Sequence, residues 1–405
     1  MQGFSLPRSS TLFIVSYVFA SSLTTKMSGR MSSNGNRSMI NTTILHDLYE
    51  KHSQSPYYDN LSRPVSDLLP PFIVAGIRGV TSNPAIFEKA ITSSNAYNEQ
   101  LRNLLESGKD LESAYWEMVV KDIQDACKLL EPIYNESNGL DGYVSVEVSP
   151  KLANNTKGTT EAAKLLHKKV GFPNVYIKIP ATKDSIPSIK EVISHGISVN
   201  VTLIFCLSQY EAVIDAYLDG LEASEMDDLS KISSAAAFYI SRVDVTVDKK
   251  LEQIGTSEAL DLRGKAAVAQ AVLAYQLYRK KFRGPRWERL EKRGAKKQRL
   301  MWASTNVKNE AYPDTLYVDS LIGPDTISTI PPQALAAFME HGSLSRSIDS
   351  NVSEAEGVYN EIERLGIDWN CVGSELEHIV LDSFTKCFDN VLHSLKAKHS
   401  HLISI

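Results

Sequence analysis

Eight short runs of β-branched and aromatic residues recur along this chain, most of them separated by longer stretches of helical periodicity. They are Tyr57 to Ser62, Gly76 to Thr81, Val144 to Val148, Val175 to Ile179, Ile197 to Phe205, Ala236 to Asp244, Arg299 to Thr305 and Thr315 to Gly323. Each is bounded by turn residues, the pattern of a buried strand. Residues 95–134 place Leu101, Leu104, Leu105 and Leu111, then Trp116, Val119, Val120 and Ile123, at helical spacing. Thr159 to Val170, Asp184 to His195, Ser208 to Leu221 and Thr246 to Phe282 read likewise. Strand and helix alternating over roughly 300 residues predicts a parallel (β/α)8 TIM-type barrel with additional helices, folded as one domain. A doubly wound open sheet shares the rhythm, but no G-x-G-x-x-G turn supports a dinucleotide site.

The composition suits a large packed core: 405 residues, 43% hydrophobic, with a formal net charge of -5. That balance excludes disorder as the dominant state and argues against nucleic acid as a dedicated partner. The four cysteines (Cys127, Cys206, Cys371 and Cys387) form no C-x-x-C pair and have no histidine at ligand spacing. They read as reduced, apolar side chains, and no metal site is expected. Nor does any stretch reach the length of apolar sequence that spans a membrane.

The chain divides into three expected parts. From Met1 to Leu45 there is no Asp or Glu, while Arg8, Lys26, Arg30 and Arg37 are spread among serines. Residues 1–40 therefore read as a disordered plastid (chloroplast) transit peptide, with a signal-peptide core at the apolar run from Thr11, or plain N-terminal disorder, as the alternatives, and a cytoplasmic location as the alternative to the plastid. The barrel domain is expected at 41–395 and a polar, frayed tail at 396–405. Within the domain, Arg279 to Arg299 is strongly basic, opposed only by Glu288 and Glu291. It reads as a solvated helix end, with a general attraction for phosphorylated molecules as the other reading.

Polar residues inside the strands carry the chemistry. In VYIKIPAT, Lys178 lies between Ile177 and Ile179. Burial favours the neutral amine, and a neutral lysine attacks carbonyls and forms Schiff bases. A lysine snorkelling from the barrel end, or paired with a carboxylate, is the plainer alternative. Glu147 interrupts VSVEVSP in the same way. Asn200 and Thr202 share one parity in VNVTLIF, Asp59 sits in YYDNLSR, and Thr81 and Asn83 close the strand in GVTSNPAIF. A core prefers apolar residues at such positions, whereas the C-terminal ends of barrel strands collect catalytic groups.

GVTSNPAIFEKAI, VYIKIPAT, NVTLIF, SRVD and WAST, in that order on successive strands, resemble transaldolase of the plant and related bacterial type. The resemblance runs from about Asn41 to about Leu395 and implies a class I aldolase barrel that uses neither metal nor organic cofactor. Such an enzyme moves a dihydroxyacetone unit from sedoheptulose 7-phosphate or fructose 6-phosphate to glyceraldehyde 3-phosphate or erythrose 4-phosphate, in the non-oxidative pentose phosphate pathway. Phosphorylated sugars are then its partners, and the sequence leaves monomer and homodimer open.

By the same resemblance Lys178 forms the imine and Asp59 takes the proton that releases the carbon–carbon bond. Glu147 with Thr202 relays protons through a water. Thr81, Asn83 and Asn200 belong to the substrate site, the two asparagines holding hydroxyls. Ser241 and Arg242, with Ser304 and Lys308, are implied for the phosphate, although Arg242 could instead pair with Asp244. One departure stands out: Asn306 and Val307 occupy positions where the family commonly has Gly-Thr before the lysine. Glycine adopts backbone conformations that Asn takes less easily and Val hardly at all. Two other functions share the barrel: a fructose 6-phosphate aldolase-like enzyme that cleaves without transfer, and a non-catalytic sugar-phosphate-binding protein. A metal-dependent aldolase would need clustered histidines, and the nine here are scattered.

Overall fold

The computed structural model describes residues 42–403. The expected leader at 1–40 and the last two residues of the tail lie outside them. Eight parallel strands close into a barrel in chain order. They are β1 (Gln54–Asp59), β2 (Val80–Thr81), β3 (Val144–Glu147), β4 (Val175–Pro180), β5 (Val199–Ile204), β6 (Ser234–Tyr239), β7 (Arg299–Ala303) and β8 (Thr326–Ile330), which returns to β1. Helices connect successive strands and form the outer ring, the arrangement that buries a parallel sheet on both faces. No helix of the described residues is long and apolar enough to cross a membrane.

Two strand expectations require correction. Thr315 to Gly323 is not a strand; it contains a short helix, Leu316–Asp319, and β8 follows it at Thr326–Ile330. The buried residues there are Tyr317, Val318, Leu321 and Ile322, a helical spacing that the β-rich composition disguised. The true strand, TISTI, is short and rich in hydroxyls, and it lies between Gly323 and the Pro331-Pro332 pair. Likewise β6 ends at Tyr239, and Ser241 and Arg242 open the next helix, Ser241–Ile254. The long helix expected over 95–134 is two, Asn98–Glu106 and Leu111–Glu136, divided at Gly108 (φ +87°) and restarted by Asp110, whose carboxylate caps the Ser113 N–H. The stretch Thr246 to Phe282 is also broken, into Ser241–Ile254, Ser257–Leu260 and Ala266–Lys281.

The period of two along each strand sets the interior in layers. Ser55, Tyr57 and Asp59 point inward from β1, and Tyr176 and Lys178 from β4. Low in the barrel the fill is bulky: Tyr143 stacks on Tyr176 at 3.9 Å, and Gly79 makes room for the Tyr57 ring, which a Cβ there would approach to 2.3 Å. Toward the C-terminal ends, β6 and β7 contribute Ala237 and Ala303, whose small side chains leave space for a cavity.

The floor is ionic. Asp141, fully buried, takes Arg299 Nη1 at 3.0 Å and Arg78 Nε at 2.8 Å. Arg299 Nη2 also donates to Ser55 Oγ and to the Thr326 carbonyl, tying β7 to β1 and β8. Burial pushes the Asp141 carboxyl up, but the two guanidiniums prevail and hold it below the usual carboxylate range.

The basic stretch does not wait for phosphate. Lys281 pairs with Glu211 and Asp215, and Arg286 with Asp219 and Glu222. All four acids come from one helix, Leu207–Ala223, at spacings that place them along one face. The final helix runs Trp369–Ile403, past the expected start of the tail, and brings Phe384 over the barrel mouth.

Replacing Asp141 by Asn should cost about 3–5 kcal/mol in urea denaturation, since it leaves the buried Arg299 and the partly buried Arg78 without counter-charge. Because this carboxyl is held low in the folded protein, its contribution is complete above the unfolded value of about 4 and fades as pH falls below it. The unaltered protein should therefore lose more stability than Asp141→Asn between about pH 5 and pH 3.

Candidate active site

The register of the barrel places the polar strand residues side by side. Glu147 pairs with Lys178 across β3 and β4, and Lys178 with Asn200 across β4 and β5. On the far side, Asp59 of β1 pairs with Thr81 of β2. Asp59, Thr81 and Glu147 end their strands, and the register sets Lys178 and Asn200 level with Glu147, so a set distant in sequence forms one ring.

Lys178 Nζ lies 3.4 Å from Glu147 Oε2 and donates to the Ser82 carbonyl at 3.2 Å. Both partners of the ion pair are 5% exposed in their side chains. Asp59 accepts the Thr81 hydroxyl at 2.7 Å, and Thr81 shares a further hydrogen bond with Thr329 of β8. Asn200 Nδ2 donates to Ser145 Oγ at 3.1 Å, leaving its buried Oδ1 without a hydrogen-bond partner among the described residues. Glu147 Oε2 likewise has no aligned donor among them.

The electrostatics correct one expectation. Burial does pull the Lys178 amine down, but Tyr239, Glu147 and Asp59 outweigh it and hold the amine above the ordinary lysine value. The resting group is an ammonium, not the neutral amine that burial alone would give. Burial in turn pushes Asp59 and Glu147 up, against the pull of Lys178 on each. The cluster thus holds a proton that must leave nitrogen before any attack, beside two carboxyls with raised proton affinity.

A cavity of about 260 Å³ opens above this ring. Of the residues expected from sequence, Asp59, Thr81, Asn83, Lys178, Asn200, Arg242, Ser304 and Lys308 line it. Glu147, Thr202 and Ser241 are buried just behind the wall: Glu147 against Lys178, Thr202 in a 3.2 Å hydrogen bond with Tyr239, and Ser241 against Ser304 at 3.0 Å. Asn83 also caps the helix Pro84–Thr92 through Oδ1, so only its amide N–H groups remain for a ligand. After Thr202 the strand bulges, with Leu203 at φ +61° and a register shift between Val201 and Ile204. Such a conformation is costly for leucine and marks a place where the backbone re-aims a side chain.

One side of the mouth is cationic. Arg242 does not pair with Asp244; that carboxylate bonds the Ala267 N–H and the Tyr317 hydroxyl instead. Arg242 Nε has no hydrogen-bond partner among the described residues. Lys308 is lowered by burial and by Arg242 nearby, its Nζ resting on Asn306 Oδ1 at 2.9 Å. The departure at Asn306 and Val307 demands no glycine: the left-handed residue of this loop is Ser304, at φ +55°.

Residues 59–395 match the family model described as Transaldolase/Fructose-6-phosphate aldolase. The chain belongs to this family. It is 47% identical to a transaldolase of Parafrankia sp. over 321 residues, 78% of this chain and 87% of that protein. It is 44% identical to the transaldolase of Thiobacillus denitrificans over 347 residues, covering 84% and 96%. With that of Trichodesmium erythraeum it shares 39% identity over 373 residues, covering 88% and 98%.

For a member of the transaldolase family, the sequence reading missed some of the wall. Tyr239 lies next to the amine and bonds Thr202, yet in AAFYIS it looks like one more aromatic strand residue. Its parity with Ala237, and its place at the C-terminal end of β6, were the available signals. Lys89 also lines the mouth, two turns into the helix that Asn83 caps, and Phe384 arrives from a helix two hundred residues downstream of Lys178. No local signal marks the last.

Since Glu147 is one of the groups holding the Lys178 proton, Glu147→Gln should lower the pH at which this amine becomes reactive. Mass-spectrometric labelling of Lys178 by an amine reagent across a pH series should show its midpoint shifted to lower pH in the variant. An unchanged midpoint would contradict the electrostatic account.

Proposed function

We propose that this protein is a transaldolase that moves a dihydroxyacetone unit between phosphorylated sugars through an imine on Lys178. The observation carrying the proposal is the buried amine at the cavity floor, flanked by Glu147 and facing Asp59, below an Arg242–Lys308 pair that has no carboxylate ion-pair partner among the described residues.

Glu147, 3.4 Å from the ammonium and with its proton affinity raised, is placed to take the proton that frees Lys178. The amine adds to the ketone of fructose 6-phosphate or sedoheptulose 7-phosphate, and loss of water gives the protonated imine. Asp59 removes the proton of the C4 hydroxyl. The C3–C4 bond breaks, its electrons pass to the imine nitrogen, and an aldose phosphate leaves. The enamine left on Lys178 then attacks the aldehyde of erythrose 4-phosphate or glyceraldehyde 3-phosphate, Asp59 returns its proton, and hydrolysis frees the new ketose. Thr202, bonded to Tyr239 behind the amine, fits the proton relay with Glu147. Asn83 and Asn200 offer amide groups to the hydroxyls of the three-carbon unit, and Thr81 orients Asp59. Arg242, Lys308, Ser304 and Ser241 supply the cations and hydroxyls that suit a phosphate dianion.

Borohydride reduction with fructose 6-phosphate should leave a three-carbon adduct on the peptide bearing Lys178, and Lys178→Arg should abolish it. In Asp59→Ala, trapping of the uncleaved sugar should survive while turnover falls about 10²- to 10⁴-fold, the scale of one general base. An adduct elsewhere would overturn the mechanism. Release of glyceraldehyde 3-phosphate at full rate without erythrose 4-phosphate would favour an aldolase that does not transfer.

Residues 1–40 we read as a plastid transit peptide, supported by their acid-free, serine- and arginine-containing composition. Fused to a fluorescent protein, residues 1–45 should direct import into plastids with removal of the leader. Secretion or retention in the cytoplasm would refute the reading.

A further inference from the structure

The helix Ser241–Ile254 carries more of the cationic rim than Arg242 alone. Its Asp244, buried, accepts the Ala267 N–H on Oδ1 and the Tyr317 hydroxyl on Oδ2, each at 2.7 Å. One turn later Asp248 repeats the pattern: the Gly264 N–H at 2.9 Å on Oδ1 and the Tyr312 hydroxyl at 2.7 Å on Oδ2. Gly264 sits at φ +71°, and a Cβ there would come within 2.8 Å of the Tyr312 ring, so the close fit excludes a side chain.

Tyr312 and Tyr317 belong to the segment after β7 that begins at Ser304 and contains Lys308. Its near end is fastened to the same helix, by the Ser241–Ser304 hydroxyl pair at 3.0 Å and by the Ser241 N–H on the Ser304 carbonyl at 3.2 Å. Lys308 therefore lies between two fixings, both on the helix that also presents Arg242. Two cations that repel each other would otherwise separate into solvent; a loop closed at both ends does not let them.

We propose that the Asp244–Tyr317 and Asp248–Tyr312 pairs form a latch that sets Lys308 against Arg242 and so determines affinity for the sugar phosphate. The inference rests on the phosphate reading given above. None of the four residues lines the cavity, so they are positioning residues. The carboxylates are suited to the task because each takes one backbone N–H and one phenol, one on each oxygen, and so ties two other segments to the helix at once.

The test uses the full chain with Tyr317→Phe and, separately, Tyr312→Phe, whose half-buried ring makes a folding failure avoidable. Each removes one hydroxyl and keeps the aromatic volume. KM for erythrose 4-phosphate and the inhibition constant of inorganic phosphate should both rise about tenfold, the scale of one hydrogen bond to a charged group. The kcat at saturation and the borohydride trapping of unphosphorylated dihydroxyacetone on Lys178 should stay within twofold of the unaltered protein. Trapping that falls in parallel with phosphate affinity would mean a general structural role and overturn the latch. Variants indistinguishable from the unaltered protein would overturn it too. Failure of inorganic phosphate to inhibit the unaltered protein at all would refute the phosphate reading, and the latch with it.

Discussion

Lys178 and Glu147 are buried and Asp59 is partly so, and each charge is tolerable there only in the presence of the others. A lone buried ammonium would discharge, and a lone buried carboxylate would take up a proton. Set together, the two acids keep the amine protonated while burial raises their own appetite for protons. The result is a site that holds a proton on nitrogen beside two carboxyls whose own proton affinity is raised. Burial alone would have produced a ready nucleophile. The cluster instead stores the nucleophile as its conjugate acid beside the base that can release it.

The two ends of the barrel solve the same desolvation problem in opposite ways. At the floor, Asp141 and Arg299 are fully buried, and Ser55, Arg78 and the Thr326 carbonyl complete an interlocked network across several strands. Such a network holds the barrel closed, although Arg299 Nε, Gln54 Oε1 and Gln298 Oε1 beside it have no hydrogen-bond partner among the described residues. At the mouth, Asn200 Oδ1, Glu147 Oε2 and Arg242 Nε are buried without protein hydrogen-bond partners among the described residues. Unmet hydrogen-bonding capacity is unfavourable in a core. Around the cavity, where a ligand can reach, it is capacity that suits the polyhydroxylated, phosphorylated substrate proposed above.

The outer helices do more than cover the sheet. Helix Leu207–Ala223 pairs its acids with Lys281 and Arg286 of the basic stretch. Helix Trp369–Ile403 crosses the top and adds Phe384 to the wall, held by contacts such as Gln209 to Glu377 and Lys151 to Asp389. The helix Ser241–Ile254 unites Arg242 with the loop of Ser304 and Lys308. Separate layers of the fold thus converge on the charge pattern of one opening.

The sequence by itself determined the barrel, because the alternation of buried strands and amphipathic helices is a local property that few other architectures accommodate. It also determined which strand residues were out of place: Lys178, Glu147, Asn200 and Asp59 are polar where a core should be apolar. It misread TLYVDSLIG, since β-branched and aromatic residues favour a strand locally while burial of Tyr317, Val318, Leu321 and Ile322 on one face makes part of it a helix. Only the tertiary structure decided the charge on Lys178, because that depends on carboxylates brought in by β1 and β3 at distances no spacing encodes. It alone placed Tyr239 and Phe384 at the cavity and freed Arg242 from Asp244. Periodicity fixes which face of an element a residue occupies; the field it feels is a sum over neighbours from other elements, and that sum exists only once the barrel has closed.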